Sequence, residues 1–194
     1  MKFLPTDSAI KGASYLDSAE SFFGRFPSAF DMTRCQILKL ETRQSYQEPD
    51  NESFVAMKNG DWDRSMSLLR KSRAADVCLY KSLSERGVDF IRCRPLKFPL
   101  SNYLRWELEI FKFNAEMCER IFCCNYDALD FVFTDYARHD FMTFDARLAF
   151  VHNYDASGLI QGGWIIEDAD QIAELQKLFI FIKSHCQPFR SFLC

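Results

Sequence analysis

The 194-residue chain is 48% hydrophobic, contains twenty Phe and carries a formal net charge of −3 at pH 7. That apolar content excludes a wholly disordered chain and supplies core material for one sizeable domain. The longest apolar run, "LFIFI" at 178–182, is too short to cross a bilayer.

Residues 1–33 read as an N-terminal extension and residues 34–194 as a single α+β domain. The first residues include a Pro but no apolar stretch, so no secretory signal is expected and the expected compartment is the cytoplasm. A short helix is predicted around 14–23, followed by the Gly/Pro-punctuated connection "GRFPSAFD". "RCQILKLE" (34–41) alternates as a strand does. Asp50 is read as the N-cap of a short helix ending at Asn59-Gly60. Residues 61–86 form the next helix, with a break near 72 and an end at Gly87.

"VDFIRCR" (88–94) is a strand whose alternate face bears Phe90, Arg92 and Arg94. "PLSNYLRWELEIFKFN" (99–114) is a helix capped by Ser101, and "RIFCC" (120–124) is a strand. The run from His139 to Asp168 reads as an antiparallel meander, with turns at Asp145-Ala146 and at Tyr154–Gly158. Gly162-Gly163 inside its last strand point to a bulge or a close backbone approach. A final helix over 169–184 places Ile172, Leu175, Phe179 and Ile182 on one seam. The expected architecture is α+β: a mostly antiparallel sheet with a C-terminal meander, packed by several helices.

Eight Cys are spread through the chain, most in apolar runs such as "DVCLY" and "RIFCCNY", and read as buried free thiols. Cys118, Cys123 and Cys124 lack zinc-ligand spacing, and the three His suggest no metal site. No phosphate loop, GxGxxG, GxSxG or HExxH motif is present, and no cofactor is expected. Charge is uneven: 16 basic and 13 acidic residues in positions 1–97, against 8 and 14 in the rest. Within 64–97, Arg64, Arg70, Lys71 and Arg73 scatter around their helix rather than forming a stripe, which disfavours nucleic acid as a partner.

On a wheel with Ser101 at 0°, Arg105, Glu109, Lys112 and Glu116 fall on one narrow polar face, between about 20° and 80°. Glu107 at about 240° and Asn114 at about 220° break the apolar surface instead, beside Tyr103 at about 200°. A buried carboxylate must be paired, protonated or facing a cavity. Two readings stay open: a core ion pair with Arg43, Arg92 or Arg94, or the floor of a ligand site. Asn114 can also serve simply to end the helix. Leaving the first strand, "LETRQSY" offers Arg43 to grip a carboxylate or phosphate and Tyr46 to cover it. In "RHDFMTFD", His139 next to Asp140 invites an acid/base role, although neighbours on a strand diverge.

Four segments, "ETRQSYQEPDNESF", "PLSNYLRWELEIFKFN", "HDFMTFDARLAFVHNYDASG" and the helix after "IIED", carry a resemblance. The chain resembles the bacterial domain-of-unknown-function family sixty-eight seventy-nine, abundant in actinomycetes, over roughly residues 37–193. Glu41, Tyr46, Tyr103, Arg105, Glu107, Asn114, Asp140, Phe144, Asp145, Tyr154 and Asp155 match the family pattern. Met142, where an aromatic is commoner, departs from it. The resemblance implies no activity; members often lie near helix-turn-helix regulator genes, which implies a regulatory or accessory role.

The expected function is a non-catalytic binding or regulatory module. Its pocket is lined by Arg43, Tyr46, Arg92, Arg94, Tyr103, Glu107 and Asn114. Its ligand is a polar or anionic small molecule, or its partner another protein. Two alternatives stand beside it: a small enzyme with Glu107 as general base and an Arg anchoring an anionic substrate, and an immunity-type protein-interaction domain.

Overall fold

The computed structural model describes residues 10–133 and 140–192. Eight strands form one sheet: β1 (Ser14–Leu16), β2 (Gln36–Leu40), β3 (Asp89–Leu96), β4 (Arg120–Asn125), β5 (Phe141–Phe144), β6 (Leu148–Tyr154), β7 (Ile160–Ile166) and β8 (Gln187–Pro188). Their spatial order is β1-β7-β6-β5-β2-β3-β4-β8. The expected meander is present as antiparallel β5-β6-β7. β2, β3 and β4 run parallel to one another inside the otherwise antiparallel sheet. Helices supply the long crossovers that parallel pairs require. α3 (Glu52–Lys58) and α4 (Trp62–Glu85) join β2 to β3, α5 (Asn102–Glu116) joins β3 to β4, and the short α6 (Asp130–Phe133) follows β4.

Local sequence explains most boundaries. Asn51, rather than Asp50, caps α3 by accepting from the Ser53 and Phe54 amides, and Gly60 beyond its end has φ +83°. α4 runs without a break through Ser72, whose hydroxyl donates to the Leu69 carbonyl at 2.9 Å instead of disrupting the helix. Ser101 caps α5 as expected. The left-handed residue that ends α5 is Cys118, with φ +78°, and not Asn114. Asp145 turns the β5–β6 hairpin at φ +52°, which an Asp tolerates.

Between residues 14 and 23 a strand precedes the helix. β1 pairs with β7, Ser18 then caps α1 (Ala19–Phe23), and α2 (Phe26–Met32) follows. Phe22 and Ala29 of these helices are fully buried against the sheet. Leu16 lies opposite Gly163, where a glycine leaves room for close approach. A Cβ on Gly163 would sit 2.6 Å from the Phe22 ring and 2.3 Å from the Val151 carbonyl.

Alternation along the strands divides the core. Leu38, Leu40, Ile91, Cys93, Phe141, Val151 and Ile166 turn to α7 (Ala169–Ser184), whose predicted seam of Ile172, Leu175, Phe179 and Ile182 meets them. Ile37, Phe90, Met142, Phe144 and Phe150 turn the other way, to Phe22, Ala29, Tyr80 and Leu83. Beyond them on that second side, Tyr46, Phe54, Trp106 and Phe111 form a further cluster. Phe189, from α8 (Phe189–Phe192), joins it.

Cys93, Cys123 and Cys124 are buried as expected, but Cys35, Cys78 and Cys118 are exposed. Cys118 is exposed because it occupies the turn after α5, and Cys78 because it lies on the outer side of α4. No helix of the described residues is long and apolar enough to cross a membrane. Among the described residues no group of His, Cys, Asp or Glu is arranged to hold a metal ion.

Candidate functional site

Halfway along the sheet, the face that packs against α1, α2 and α4 changes from apolar to polar. Ile37 is followed on the same face of β2 by Lys39 and then Glu41. Lys39 lies beside Arg92 of β3, and Arg94 follows Arg92 on that face. β6 contributes His152 and Tyr154 after Phe150, and Asp140 immediately precedes β5.

The arginines are consumed by internal carboxylates. Arg92 lies between Glu119, 2.5 Å from its Nε, and Glu41. Tyr80 donates its hydroxyl to Glu119 at 2.7 Å. Lys39 bridges to Glu41 at 2.8 Å. Burial pushes the Glu41 carboxyl up, but Arg92 and Lys39 outweigh it and hold the group well below the usual carboxylate range. Arg94 donates from Nε to Glu107 at 2.8 Å and from Nη1 to the Glu41 carbonyl at 3.3 Å. Burial pushes Glu107 up to about 7, with Arg94 pulling against it. The two guanidinium groups lie against rings, Arg92 4.9 Å from the Phe111 centroid and Arg94 5.7 Å from that of Tyr46.

Above this layer, Asp140 is 1% exposed. It accepts from the Thr42 amide at 2.7 Å, the Thr42 hydroxyl at 2.9 Å, and the Tyr46 hydroxyl. Its backbone carbonyl accepts from the His152 amide at 2.8 Å and lies 3.0 Å from Nδ1 of the same residue. A carbonyl can only accept, so the ring proton resides on Nδ1. Burial, with Lys39 adding to it, lowers His152 to about 4 and leaves the ring neutral near pH 7. Glu48 accepts from the Tyr103 hydroxyl and from Asn51 Nδ2, each at 2.9 Å. Burial raises the carboxyls of both Glu48 and Asp140 above their ordinary values.

Four rings run in file beside these groups. Tyr103 and Tyr46 are 5.6 Å apart, Tyr46 and Tyr154 5.2 Å, and Tyr154 and His152 stack at 6.0 Å. All four line a cleft of about 1310 Å³ over the sheet centre. Its other walls come from Phe23 of α1, from Leu68, Lys71, Ser72 and Arg73 of α4 and from the segment leading into α3. A cleft of this size, in which aromatic and aliphatic side chains are interleaved with convergent polar and charged groups, has the build of a site for a small polar molecule.

The structure distributes the expected site residues over several positions. Tyr46 and Tyr103 line the cleft. Arg92, Arg94 and Glu107 form the ion-paired layer behind it, so the core ion-pair reading describes Glu107. Arg43 flanks the site, its guanidinium 5.4 Å from the Tyr154 ring centroid. Asn114 is buried near the end of α5 and is not on the cleft wall; its carbonyl accepts from the Met117 and Glu119 amides. His139 lies outside the described residues.

Sequence reasoning about the pocket missed Lys39, Glu48, His152 and Tyr154. A period-of-two signal was present for three of them: Lys39 precedes Glu41 by two, and His152 precedes Tyr154 by two, so each pair shares a face. Glu48 follows Tyr46 by two in the same loop, but loops carry no such rule.

The chain belongs to the family described as "Domain of unknown function (DUF6879)", whose model matches residues 24–194. No protein of curated function matches the chain. Among solved structures, that of TrmBL2, an archaeal chromatin protein described as showing a novel mode of DNA binding, is similar at 11% identity and a TM-score of 0.47. The similarity covers 90% of this chain and 54% of that one, so this chain spans about half the length of that protein.

Proposed function

We propose that this protein is a non-catalytic binding module, regulatory or accessory to another activity, and that the central cleft holds a polar small molecule. One observation carries the reading. The buried polar side chains of Asp140, Tyr46, Tyr103 and His152, with half-buried Glu48, converge on a cleft of about 1310 Å³ with an aromatic wall. The groups best suited to acid–base chemistry are tied up. Glu107 is ion-paired to Arg94 behind the wall, which counts against its use as a general base. Anion recognition has less support than polar recognition, because Arg92 and Arg94 already serve Glu41, Glu119 and Glu107. Binding then rests on hydrogen bonds from positioned side chains over stacked rings.

Native mass spectrometry of the purified protein tests this, with Ser72→Trp as the comparison. Ser72 lines the cleft from an exposed position on α4, so the indole fills space without disturbing the core. The expected result is a co-purified small molecule on the wild type that is lost in the variant while far-UV circular dichroism is unchanged. A wild type that carries nothing, and whose melting temperature no member of a metabolite library raises, would sink the reading.

A further inference from the structure

Building on the reading of the cleft as a ligand site, we propose that its ligand presents a protonated amine to Glu48 and Asp140. The charges fronting the cleft are not balanced. Of its three cations, Lys39 is engaged by Glu41 at 2.8 Å and Arg73 by Asp76 at 2.8 Å. The third, Lys71, is exposed on α4. Glu48 and Asp140, by contrast, form no salt bridge among the described residues; Lys39 acts on Glu48 and Arg94 on Asp140 only at longer range. Their partners are the uncharged donors of Tyr103 and Asn51, and of Tyr46 and Thr42. Burying a carboxylate whose direct hydrogen-bond partners are all neutral is unfavourable, and a cation arriving in the cleft relieves it.

The aromatic file favours the same chemistry. Ring faces carry negative quadrupole potential and attract ammonium and guanidinium groups. The protein already uses two of these rings in that way, with Arg94 against Tyr46 and Arg43 against Tyr154. His152 adds no opposing charge, since its Nδ1 proton is held by the Asp140 carbonyl and the ring is neutral near pH 7. Phe23 and Leu68 give the rest of the ligand an apolar surface to rest on. The class indicated is an organic ammonium with a hydrocarbon or aromatic body.

Isothermal titration calorimetry with three probes of one shape tests this: benzylammonium, benzyl alcohol and benzoate. The expected result is binding of benzylammonium in preference to the other two. Glu48→Gln and Asp140→Asn should each weaken it about tenfold, the worth of one charge-assisted contact. Glu48→Gln is close to isosteric and keeps an acceptor for Tyr103, and circular dichroism verifies the fold of both variants. Benzoate binding as tightly as benzylammonium, or benzylammonium affinity unchanged in both variants, overturns the assignment. If benzyl alcohol or benzoate binds and Ser72→Trp abolishes it, the cleft remains a ligand site and only the amine is lost. If none of the three binds and native mass spectrometry finds no ligand, both readings fall together.

Discussion

Arg94 and Glu107 meet at 2.8 Å, Nε to carboxylate, in a layer where Arg94 is 0% and Glu107 4% exposed. One comes from β3 and the other from the first half of α5, so the pair ties the crossover helix to the strand it follows. Removing one partner strands the other charge away from water. Glu107→Leu is expected to cost about 3–5 kcal/mol in urea unfolding, whereas the double variant Arg94→Met/Glu107→Leu recovers most of that loss. A single variant costing under about 1 kcal/mol would show that the pair is not isolated from solvent.

His152 gives stability a pH dependence of defined sign. Its folded value of about 4 lies below the ordinary 6.5, so between those values the unfolded chain binds a proton that the folded chain does not. Stability from this residue is therefore complete above pH 6.5 and is lost as pH falls toward 4. The loss amounts to about 3 kcal/mol at most. Buried carboxylates such as Glu107 titrate over an overlapping range with the opposite sign. The quantity to measure is therefore the wild-type minus His152→Asn stability difference at a series of pH values. That difference should shrink on acidification, and a flat one would contradict the neutral, Nδ1-protonated ring.

Gly163 is expected to be irreplaceable where β1, β6 and α1 converge. An alanine Cβ there would overlap the Val151 carbonyl at 2.3 Å and the Phe22 ring at 2.6 Å. One of those contacts is backbone, which cannot swing aside. Gly163→Ala should lower stability by about 2–4 kcal/mol, read as a fall in melting temperature. Gly60→Ala serves as the comparison. Nothing lies within 4 Å of a Cβ at Gly60, so only its φ of +83° resists the change.

Asp145 holds the β5–β6 turn against the start of β2, accepting from the amides of Arg34, Cys35 and Gln36 at 2.9, 2.8 and 2.9 Å. Partial burial alone would raise its carboxyl, but these amides outweigh it and keep the group below its ordinary value. The stabilisation is present above the ordinary aspartate range and disappears as pH falls through the lowered value. Asp145→Ala is expected to cost about 1–3 kcal/mol by denaturant unfolding at pH 7. A loss that persists undiminished at pH 2 would point to the turn conformation rather than the charge.

Much of this fold was legible in the residues. The meander, the last helix and its seam, the Ser101 cap and the glycine approach in β7 all follow from local patterns, and all are present. The site was legible only in part. The wheel picked out Glu107 as lying on the wrong side of α5, yet it could not say whether Arg43, Arg92 or Arg94 answered it. That choice depends on how α5 folds back on β3, which sets Glu107 against Arg94, while the parallel pairing of β2 with β3 sets Lys39 beside Arg92.

By itself the sequence determined most elements from β2 onward, because caps, turns and periodicity act over a few residues, whereas β1 exists only through its pairing with β7. It also determined that a polar network had to exist within the domain, because an unpartnered carboxylate amid apolar neighbours is too costly. Tertiary structure alone decided which polar groups satisfy one another and which are left facing a cleft. Arg92 and Arg94, the expected ligand contacts, became internal counter-ions. Glu48 and His152, unremarkable in the sequence, were brought to one cleft wall by a loop and a strand that lie far from each other in the chain. Charge compensation acts through space over a few ångströms, and only the packed sheet fixes those distances.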